Sequence, residues 1–302
     1  MSQLRIATFN LLHGRPLAAD GSPLPFPAEP GEPLAEAVAA LDADVLALQE
    51  VDRYQERSGL TDQTAVAAKA MGAGDWRFAA ALHGRPAAGA GWVLDRDRPG
   101  LQVYGPAEAG TALEVPSYGT ALLTRLPVSH WRARRFAPAP FGLPLRVAGR
   151  RGLTPVPDEP RAALAAVLRG RQGEFTVVAT HLSFVPGWNM AQLASIRRWI
   201  ADLPGPHLVL GDFNLIGAVP RTVLGGAAAL GQRPARQPGP RRRRVLRGWH
   251  DLAKTPTYPS HRPAVQFDHV LAMGVPRTAV GTITAPRTPV SDHRPLLVEV
   301  DL

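Results

Sequence analysis

The stretch Leu208-Val209-Leu210-Gly211-Asp212-Phe213-Asn214 is the most informative in this chain, because an apolar run ends abruptly in a glycine, a carboxylate and a carboxamide. Continuous apolar runs of this length are typical of buried strands. A polar group that directly follows such a strand lies at an edge of the sheet. The stretch therefore predicts a buried strand that delivers Asp212 and Asn214 to one sheet edge.

Similar transitions from apolar to polar residues occur at several other places along the chain. They are found at residues 6–10, 45–50, 177–181 and 267–268. Residues 289–293, Pro-Val-Ser-Asp-His, add an acid and an imidazole just before the last apolar run. If these strand ends meet, they form an oxygen-rich site for a hard cation, flanked by histidines.

Composition limits the class of protein. A chain of 302 residues with 45% hydrophobic residues can bury a substantial core, which argues against disorder of the whole chain. The absence of cysteine excludes disulfides and thiolate metal sites, so any metal must be bound by oxygen and imidazole. The net charge of +9 favours an anionic partner only weakly, because nearly all the basic residues are arginine, which biased genomic composition also produces.

The sequence favours a soluble, cytoplasmic protein. The strand-like residues 4–9 follow the N-terminus almost directly, without the basic and apolar regions of a signal peptide. No stretch approaches the ~20 apolar residues that a membrane-spanning helix needs.

Hydrophobic spacing predicts many short strands with a few helices between them. Helices are expected at residues 34–41, 61–71 and from 188 to just before Pro204, with Thr61 as a start and Gly72 as a stop. Besides the apolar run within residues 208–214, strands are expected at residues 4–9, 44–50, 77–82, 120–124, 128–136, 162–168, 175–180, 265–273 and 296–300. Residues 14–33, 83–118 and 217–248 are expected to be irregular. This order favours two packed sheets with helices outside, in a single domain over residues 1–302.

The polar residues also resemble those of a known family in their order along the chain and in the short motifs around them. The matching pieces are Thr8-Phe9-Asn10, Leu48-Gln49-Glu50-Val51, Tyr118-Gly119-Thr120-Ala121-Leu122-Leu123, Thr180-His181-Leu182, Gly211-Asp212-Phe213-Asn214, Phe267-Asp268-His269-Val270 and Ser291-Asp292-His293-Arg294-Pro295. In these pieces the chain resembles the endonuclease/exonuclease/phosphatase superfamily, which includes DNase I, apurinic endonucleases, sphingomyelinases and inositol-polyphosphate phosphatases. One such motif alone is weak evidence, whereas six or more in family order are strong evidence.

The resemblance implies a DNase I-like fold, a four-layer α/β/β/α sandwich, with a bound Mg²⁺ or Mn²⁺ at one edge. Glu50 offers the full negative charge that a hard metal prefers and is the expected principal ligand. Asn10 offers a neutral carbonyl that holds the metal or orients the phosphate, and Asp292 is the expected second ligand. The chain has enough carboxylates for one metal or for two.

The same resemblance assigns the catalytic roles. His293 is the expected general base because its ordinary pKa lies near neutrality, and Asp268 is expected to orient its imidazole. Asp212 is expected to position the water or to protonate the leaving oxygen. Asn214 and His181 are expected to donate hydrogen bonds to phosphate oxygens. His269 is left out of the site because neighbouring residues of a strand point to opposite faces.

These residues indicate a metal-dependent phosphodiester hydrolase, nuclease-like, without a covalent enzyme intermediate. Two alternatives remain: a phosphomonoesterase or lipid-headgroup phosphodiesterase of the same superfamily, and a non-catalytic module that binds anions or nucleic acid. Leu12 stands where apurinic endonucleases typically carry an acid, which disfavours abasic-site repair. Four consecutive arginines, Arg241-Arg242-Arg243-Arg244, either bind a nucleic-acid backbone or lie in a solvated loop, and we favour the solvated loop. No protein partner is inferred.

Overall fold

The computed structural model of the protein describes residues 3–87, 91–109, 115–145, 152–229 and 248–302. Its helices are α1 (Glu32–Leu41), α2 (Gln63–Met71), α3 (Trp188–Trp199) and α4 (Val219–Ala229). Its strands are β1 (Leu4–Asn10), β2 (Val45–Arg53), β3 (Asp75–Pro86), β4 (Trp92–Leu94), β5 (Gln102–Tyr104), β6 (Ser117–Thr124), β7 (Val128–Phe136), β8 (Leu143–Leu145), β9 (Thr154–Val156), β10 (Arg161–Gly170), β11 (Gly173–His181), β12 (His207–Asp212), β13 (His250–Asp251), β14 (Asp268–Met273), β15 (Val280–Thr284) and β16 (Leu296–Val300). In these ranges no helix has the length and apolar character needed to cross a membrane.

The strands form two mixed sheets and a separate hairpin of β8 and β9. The first sheet has the order β15-β16-β1-β2-β6-β3-β4, with β5 also paired to β3. The second has the order β13-β14-β12-β11-β10-β7. Among the described strands, each sheet contains one parallel pair, β1 with β2 and β11 with β12. Two mixed sheets with a few helices confirm the DNase I-like α/β class that the sequence predicts.

Three apolar clusters hold these elements together. The first joins the two sheets, for example Ile6 and Leu122 of one sheet with Leu164 and Leu210 of the other. The second joins the first sheet to α1 and α2. The third joins the second sheet to α3 and α4. Each sheet is therefore apolar on both faces, which explains the continuous apolar runs in its central strands.

The helix boundaries follow from local capping chemistry. Helix α2 begins at Gln63, because the side chain of Asp62 accepts a hydrogen bond from the backbone nitrogen of Ala65. The expected start at Thr61 is therefore wrong by two residues. Gly72 ends the helix in the left-handed conformation (φ 67°), which confirms the expected stop.

Two regions that we expected to be irregular contain regular elements. Helix α4 occupies Val219–Ala229, within the range 217–248, and strands β4 and β5 lie within the range 83–118. The expectation is wrong there because strands of three residues are too short to show a period, and the glycines of α4 obscure its helical spacing. The run Arg241–Arg244 lies outside the described residues.

Gly211 lets β12 pair closely with β11 just before the functional residues begin. Its φ is 150°, and a Cβ at this position would lie 1.8 Å from the carbonyl oxygen of Thr180. Any other residue would push the two strands apart. The glycine therefore fixes the register in which His181 lies beside Asp212, and Asp212 lies opposite Asp268.

Candidate active site

The structure brings the expected polar residues together where the two sheets meet at one edge. Asn10 ends β1, His181 ends β11, Asp212 ends β12 and Asp268 begins β14. Glu50 lies within β2, beside the end of β1. Residues far apart in sequence therefore converge because the ends of these particular strands are neighbours in the sheets.

The backbone at Glu50 departs from regular strand geometry. Its φ is 52°, and the pairing of β2 with β6 shifts register between Leu48 and Val51. Such a bulge redirects one side chain relative to the regular alternation of the strand. A positive φ is unfavourable for a glutamate, so the surrounding structure must hold it there. The conformation places the Glu50 carboxylate 3.0 Å from the amide nitrogen of Asn10.

Asn10 connects the two sheets. Its Nδ2 donates to Glu50 Oε1 and to Asp212 Oδ2, each at 3.0 Å. Its Oδ1 accepts a hydrogen bond from the backbone nitrogen of Leu12 at 3.0 Å. The opposite amide orientation would place an oxygen against two carboxylates, which supports this assignment. The nitrogen of Asn10, and not the expected carbonyl, faces the carboxylates; its role as a metal ligand stays a prediction.

Glu50 and Asp292 form an acidic pair suited to a cation. Burial and the negative charge of Asp292 raise the pKa of Glu50 to about 7. Burial likewise raises the pKa of Asp292 above its ordinary value. A bound divalent cation would relieve both effects, because it neutralises the two carboxylates and replaces their lost hydration.

A second group of possible ligand atoms lies in Asp212, Asp268 and His293. One such atom from each residue lies within 4.8 Å of the others. His293 Nδ1 lies 2.8 Å from Asp268 Oδ2, which is a hydrogen-bond distance. A metal held between those two atoms would have to break this bond, and Glu50 as the principal ligand stays a prediction.

His293 is held through one ring nitrogen and through its backbone. Asp268 accepts from Nδ1 and from the hydroxyl of Thr257 at 2.5 Å, which leaves Nε2 turned toward Asp212 Oδ2 at 3.8 Å. Ser291 holds the backbone, since its hydroxyl accepts from His293 N at 3.0 Å and donates to the carbonyl oxygen of Asn10 at 2.6 Å. The ring therefore has one defined orientation, in which Nε2 faces the site without a hydrogen-bond partner among the described residues.

The charges around His293 favour its protonated form. Burial lowers its pKa, but the charge and hydrogen bond of Asp268, with the charges of Asp212 and Asp292, outweigh burial and raise the pKa to about 10. Asp212 has the opposite environment, because burial raises its pKa despite the attraction of His293. His293 is thus held protonated near neutral pH in the metal-free protein, beside an acid of raised pKa. A bound cation would offset the acidic charges and lower the pKa of His293 towards the range that a general base needs.

His181 is held as a neutral hydrogen-bond donor. Arg161 Nη1 lies 2.9 Å from His181 Nδ1, and a guanidinium can only donate, so Nδ1 must accept. The proton therefore resides on Nε2, which lies 3.8 Å from Asp212 Oδ2. Burial and the positive charges of Arg161 and His293 hold the pKa of His181 well below its ordinary value.

Asn214 lies beside His181, and its side-chain amide is held by a hydrogen bond to a backbone carbonyl group. Its Nδ2 donates to the carbonyl oxygen of Leu182 at 3.1 Å and lies 3.4 Å from His181 Nε2. Its backbone nitrogen donates to Asp212 Oδ1 at 2.9 Å. The residue thus orients Asp212 directly, and its expected contact with a phosphate oxygen stays a prediction.

His269 lies on the opposite face of β14. Its Nδ1 lies 2.7 Å from Asp251 Oδ2 and its Nε2 lies 2.9 Å from the carbonyl oxygen of Leu215. The ring stacks on Phe213, in the cluster next to α3 and α4. Its exclusion from the site follows from this placement.

The pair of His269 and Asp251 gives a prediction for stability. Burial lowers the pKa of His269, but the hydrogen bond and charge of Asp251 outweigh burial and raise it above 6.5. Asp251→Asn should therefore lower the free energy of unfolding by about 3 kcal/mol between pH 5 and 6.5, where the imidazole is charged. The loss should shrink as the pH rises through the raised pKa of the folded state. Urea denaturation at pH 5.5 and 9.5 measures this, and an equal loss at both pH values would contradict it.

Sequence reasoning missed several residues that support the site. It gave no role to Thr257 and Ser291, which hold Asp268 and His293. It gave no catalytic or binding role to Arg161, and none to Glu159, whose Oε1 lies 2.9 Å from Arg161 Nη1. A signal existed for Ser291 alone, because a serine two residues before the histidine is part of the matching motif.

The comparisons with known proteins identify the family. The model of the endonuclease/exonuclease/phosphatase family matches residues 7–293. The chain belongs to this family. Members of this superfamily are hydrolases of phosphoesters and in general depend on divalent metal ions, so the chain is a metal-dependent phosphoesterase in general terms. A search of curated proteins finds no match.

Solved structures of family members share the fold. A family protein from Leptotrichia buccalis C-1013-b is 12% identical, with 99% of this chain and 100% of that chain covered and a TM-score of 0.56. A family protein from Beutenbergia cavernae DSM 12333 is 18% identical, with coverage of 99% and 72% and a TM-score of 0.53. A mannosyl-6-phosphatase from Bacteroides thetaiotaomicron VPI-5482 is 14% identical, with coverage of 99% and 100% and a TM-score of 0.52. At these identities the likeness concerns the fold alone.

Proposed function

We propose that this family member is a metal-dependent phosphodiester hydrolase, nuclease-like, in which His293 and Asp268 activate a water molecule. One observation carries the proposal. His293 presents a free Nε2 toward Asp212, while Asn10 links Asp212 to the Glu50 carboxylate. Glu50 and His293, which belong to the first sheet and the segment before its strand β16, thus both face Asp212 of the second sheet. Because both sheets contribute, we propose that residues 1–302 work as a single domain.

The residues present suit Mg²⁺ or Mn²⁺. Glu50 and Asp292 would supply hard oxygen ligands, and the pKa of each is raised by burial, with the charge of Asp292 adding to the shift of Glu50, which supports a site that a cation would stabilise. Asp268 Oδ1 is buried without a hydrogen-bond partner among the described residues, which also fits a site built for a further polar or charged species. The cation, when bound, supplies positive charge that stabilises the negative charge of the phosphoryl group during hydrolysis.

The remaining steps belong to the side chains. His293 Nε2 takes a proton from the attacking water once bound positive charge offsets the carboxylates that raise its pKa, and Asp268 stabilises the imidazolium through Nδ1. His181, fixed as the Nε2–H tautomer by Arg161, donates to a non-bridging phosphate oxygen. Asp212 has a raised pKa and lies beside both histidines, so it is placed to orient the water or to give a proton to the leaving oxygen.

A diester is the favoured substrate class on grounds of charge. A phosphodiester carries one negative charge and a monoester close to two at neutral pH, and the site already contains four acidic residues, Glu50, Asp212, Asp268 and Asp292. The net charge of +9 over the whole chain agrees with a polyanionic substrate.

The test is an activity panel with the purified full chain and Mg²⁺ or Mn²⁺. The substrates are bis(4-nitrophenyl) phosphate, 4-nitrophenyl phosphate, DNA and RNA oligonucleotides, and sphingomyelin vesicles. We expect the diesters to be hydrolysed faster than the monoester, and Glu50→Gln and His293→Gln to abolish the turnover. Faster turnover of the monoester would identify a phosphatase, the activity for which the Bacteroides thetaiotaomicron relative is named. Preference for the vesicles would identify a lipid-headgroup phosphodiesterase.

The panel also separates an enzyme from a binding module. Salt-sensitive binding of oligonucleotides, with no cleavage that depends on Glu50 and His293, would overturn the proposal in favour of a non-catalytic module.

A further inference from the structure

Arg57 is held in a fixed orientation by a buried carboxylate. Its Nε and Nη2 donate to the two oxygens of Asp52, each at 2.8 Å, and Asp52 is fully buried. Ser58 donates a third hydrogen bond to the same carboxylate at 3.0 Å. A planar pair with two parallel hydrogen bonds fixes the guanidinium more firmly than a single contact does. Asp52 lies only two residues after Glu50, so this pair is built into the strand that carries the expected metal ligand.

Two aromatic rings hold the guanidinium in place. Its central carbon lies 5.0 Å from the ring centre of Trp92 and 5.6 Å from that of Tyr118. The Trp92 indole is fixed in turn, because its nitrogen donates to Glu159 at 2.5 Å. An arginine between aromatic faces and a carboxylate has little freedom to move, and such preorganisation lowers the entropy cost of binding a ligand.

One edge of this guanidinium remains free. Nη1 has no hydrogen-bond partner within the described part of the chain, and the Arg57 side chain is 29% exposed. A chain of contacts joins this guanidinium to the site: Trp92, which it faces, donates to Glu159, and Glu159 pairs with Arg161, which holds the ring of His181. Two fixed N–H donors next to a metal ligand are suited to an anionic oxygen.

We propose that Arg57 is a substrate-binding residue that determines specificity, and that its Nη1 donates to an anionic phosphate oxygen of the substrate on the Glu50 side of the site. This inference rests on the proposed function. Asp52 acts as a positioning residue, since it aims the guanidinium and balances its charge. The bound oxygen belongs either to the phosphate that is cleaved or to a neighbouring phosphate of a polyanionic substrate, and both have the same chemistry.

The test compares Arg57→Lys with wild type on two diesters. Lysine keeps the charge and can pair with Asp52. Its single ammonium group has no counterpart to the Nη1 donors, which point away from Asp52. We expect KM to rise about 10- to 100-fold with little change in kcat, as for the loss of a hydrogen bond to a charged group. A rise on bis(4-nitrophenyl) phosphate assigns the contact to the cleaved phosphate, and a rise on oligonucleotides alone assigns it to a neighbouring phosphate. Unchanged KM on both substrates would overturn the inference.

A matched control uses another arginine that forms two hydrogen bonds to an aspartate. Arg132 pairs with Asp202 at 2.8 and 2.6 Å on β7, and no site residue is among its contacts. Arg132→Lys should leave KM unchanged. If Arg57→Lys folds poorly, the double variant Asp52→Asn with Arg57→Gln removes both charges together and leaves no buried charge unpaired. A wild-type KM in this double variant would contradict the proposal.

Direct binding of inorganic phosphate separates this inference from the proposed function. Calorimetry with Mg²⁺ and inorganic phosphate needs no turnover, so it remains informative even if no substrate of the panel is hydrolysed. We expect phosphate to bind the wild type at least tenfold more tightly than Arg57→Lys. Equal affinities for inorganic phosphate would exclude a contact with the cleaved phosphate. Equal affinities also for a DNA oligonucleotide, titrated in the same way, would reject the role of Arg57, whatever the activity panel shows.

Discussion

Replacing His293 by Gln is expected to lower kcat by about 10³-fold with KM nearly unchanged, since a positioned general base contributes 10²–10⁴-fold. Glutamine keeps a polar group of similar reach but cannot take up a proton. The effect should be large because Nε2 is the only ring nitrogen left free; Asp268 occupies Nδ1 at 2.8 Å. Steady-state kinetics on bis(4-nitrophenyl) phosphate with saturating Mn²⁺ measures the change.

Two further variants test whether a loss of kcat in His293→Gln comes from the missing general base. His130→Gln is the matched control, because His130 is exposed on β7 and contacts Arg132, outside the site. It should retain wild-type kcat. Asp268→Asn should lower kcat as well, because an amide nitrogen facing Nδ1 favours the wrong tautomer. If His293→Gln keeps more than about a tenth of wild-type kcat, a general-base role for His293 is untenable.

The sequence predicts the convergence of the site well because the site lies at strand ends. Asp212 follows one apolar run and Asp268 precedes another. The two residues lie opposite each other in the pairing of β12 with β14. A continuous apolar run gives the position of a buried strand, and the first polar residue after it gives the edge. The order of motifs along the chain supplies the rest, because it matches a family with a shared fold.

What the sequence does not predict depends on side-chain orientation and on backbone outliers. The left-handed conformation of Glu50 and the direction of the Asn10 amide arise from tertiary contacts between two sheets. The fixed tautomer of His181 requires Arg161, which begins another strand. The pairing of Arg57 with Asp52 is local in sequence, but its meaning depends on Trp92 and Tyr118, which the chain brings in from later strands. Propensity and periodicity contain no information on such contacts.

Replacing Glu50 by Gln is expected to abolish metal-dependent turnover while leaving the metal-free protein as stable as the wild type or more so. The carboxylate is needed to bind a hard cation, and loss of the charge stabilisation that the cation supplies should cost several kcal/mol, about 10³-fold in kcat. In the metal-free protein the same carboxylate is unfavourable, since burial and Asp292 raise its pKa to about 7. Glutamine removes that charge and keeps an oxygen that can accept from Asn10 Nδ2.

Thermal unfolding with increasing Mn²⁺ tests both the loss of metal binding and the stability of the metal-free variant, without relying on activity. A ligand that binds only the folded state stabilises it by about 2.7 kcal/mol at 100 times its Kd, so the wild-type Tm should rise with Mn²⁺. The Tm of Glu50→Gln should start at or above the metal-free wild-type value and rise much less. Glu174→Gln is the matched control, because Glu174 is exposed on β11 and its ion pair with Arg169 spans 3.8 Å; it should behave as wild type. An undiminished Mn²⁺ response in Glu50→Gln would move the principal cation to the group of Asp212, Asp268 and His293, which the same titration on Asp212→Asn would then reveal.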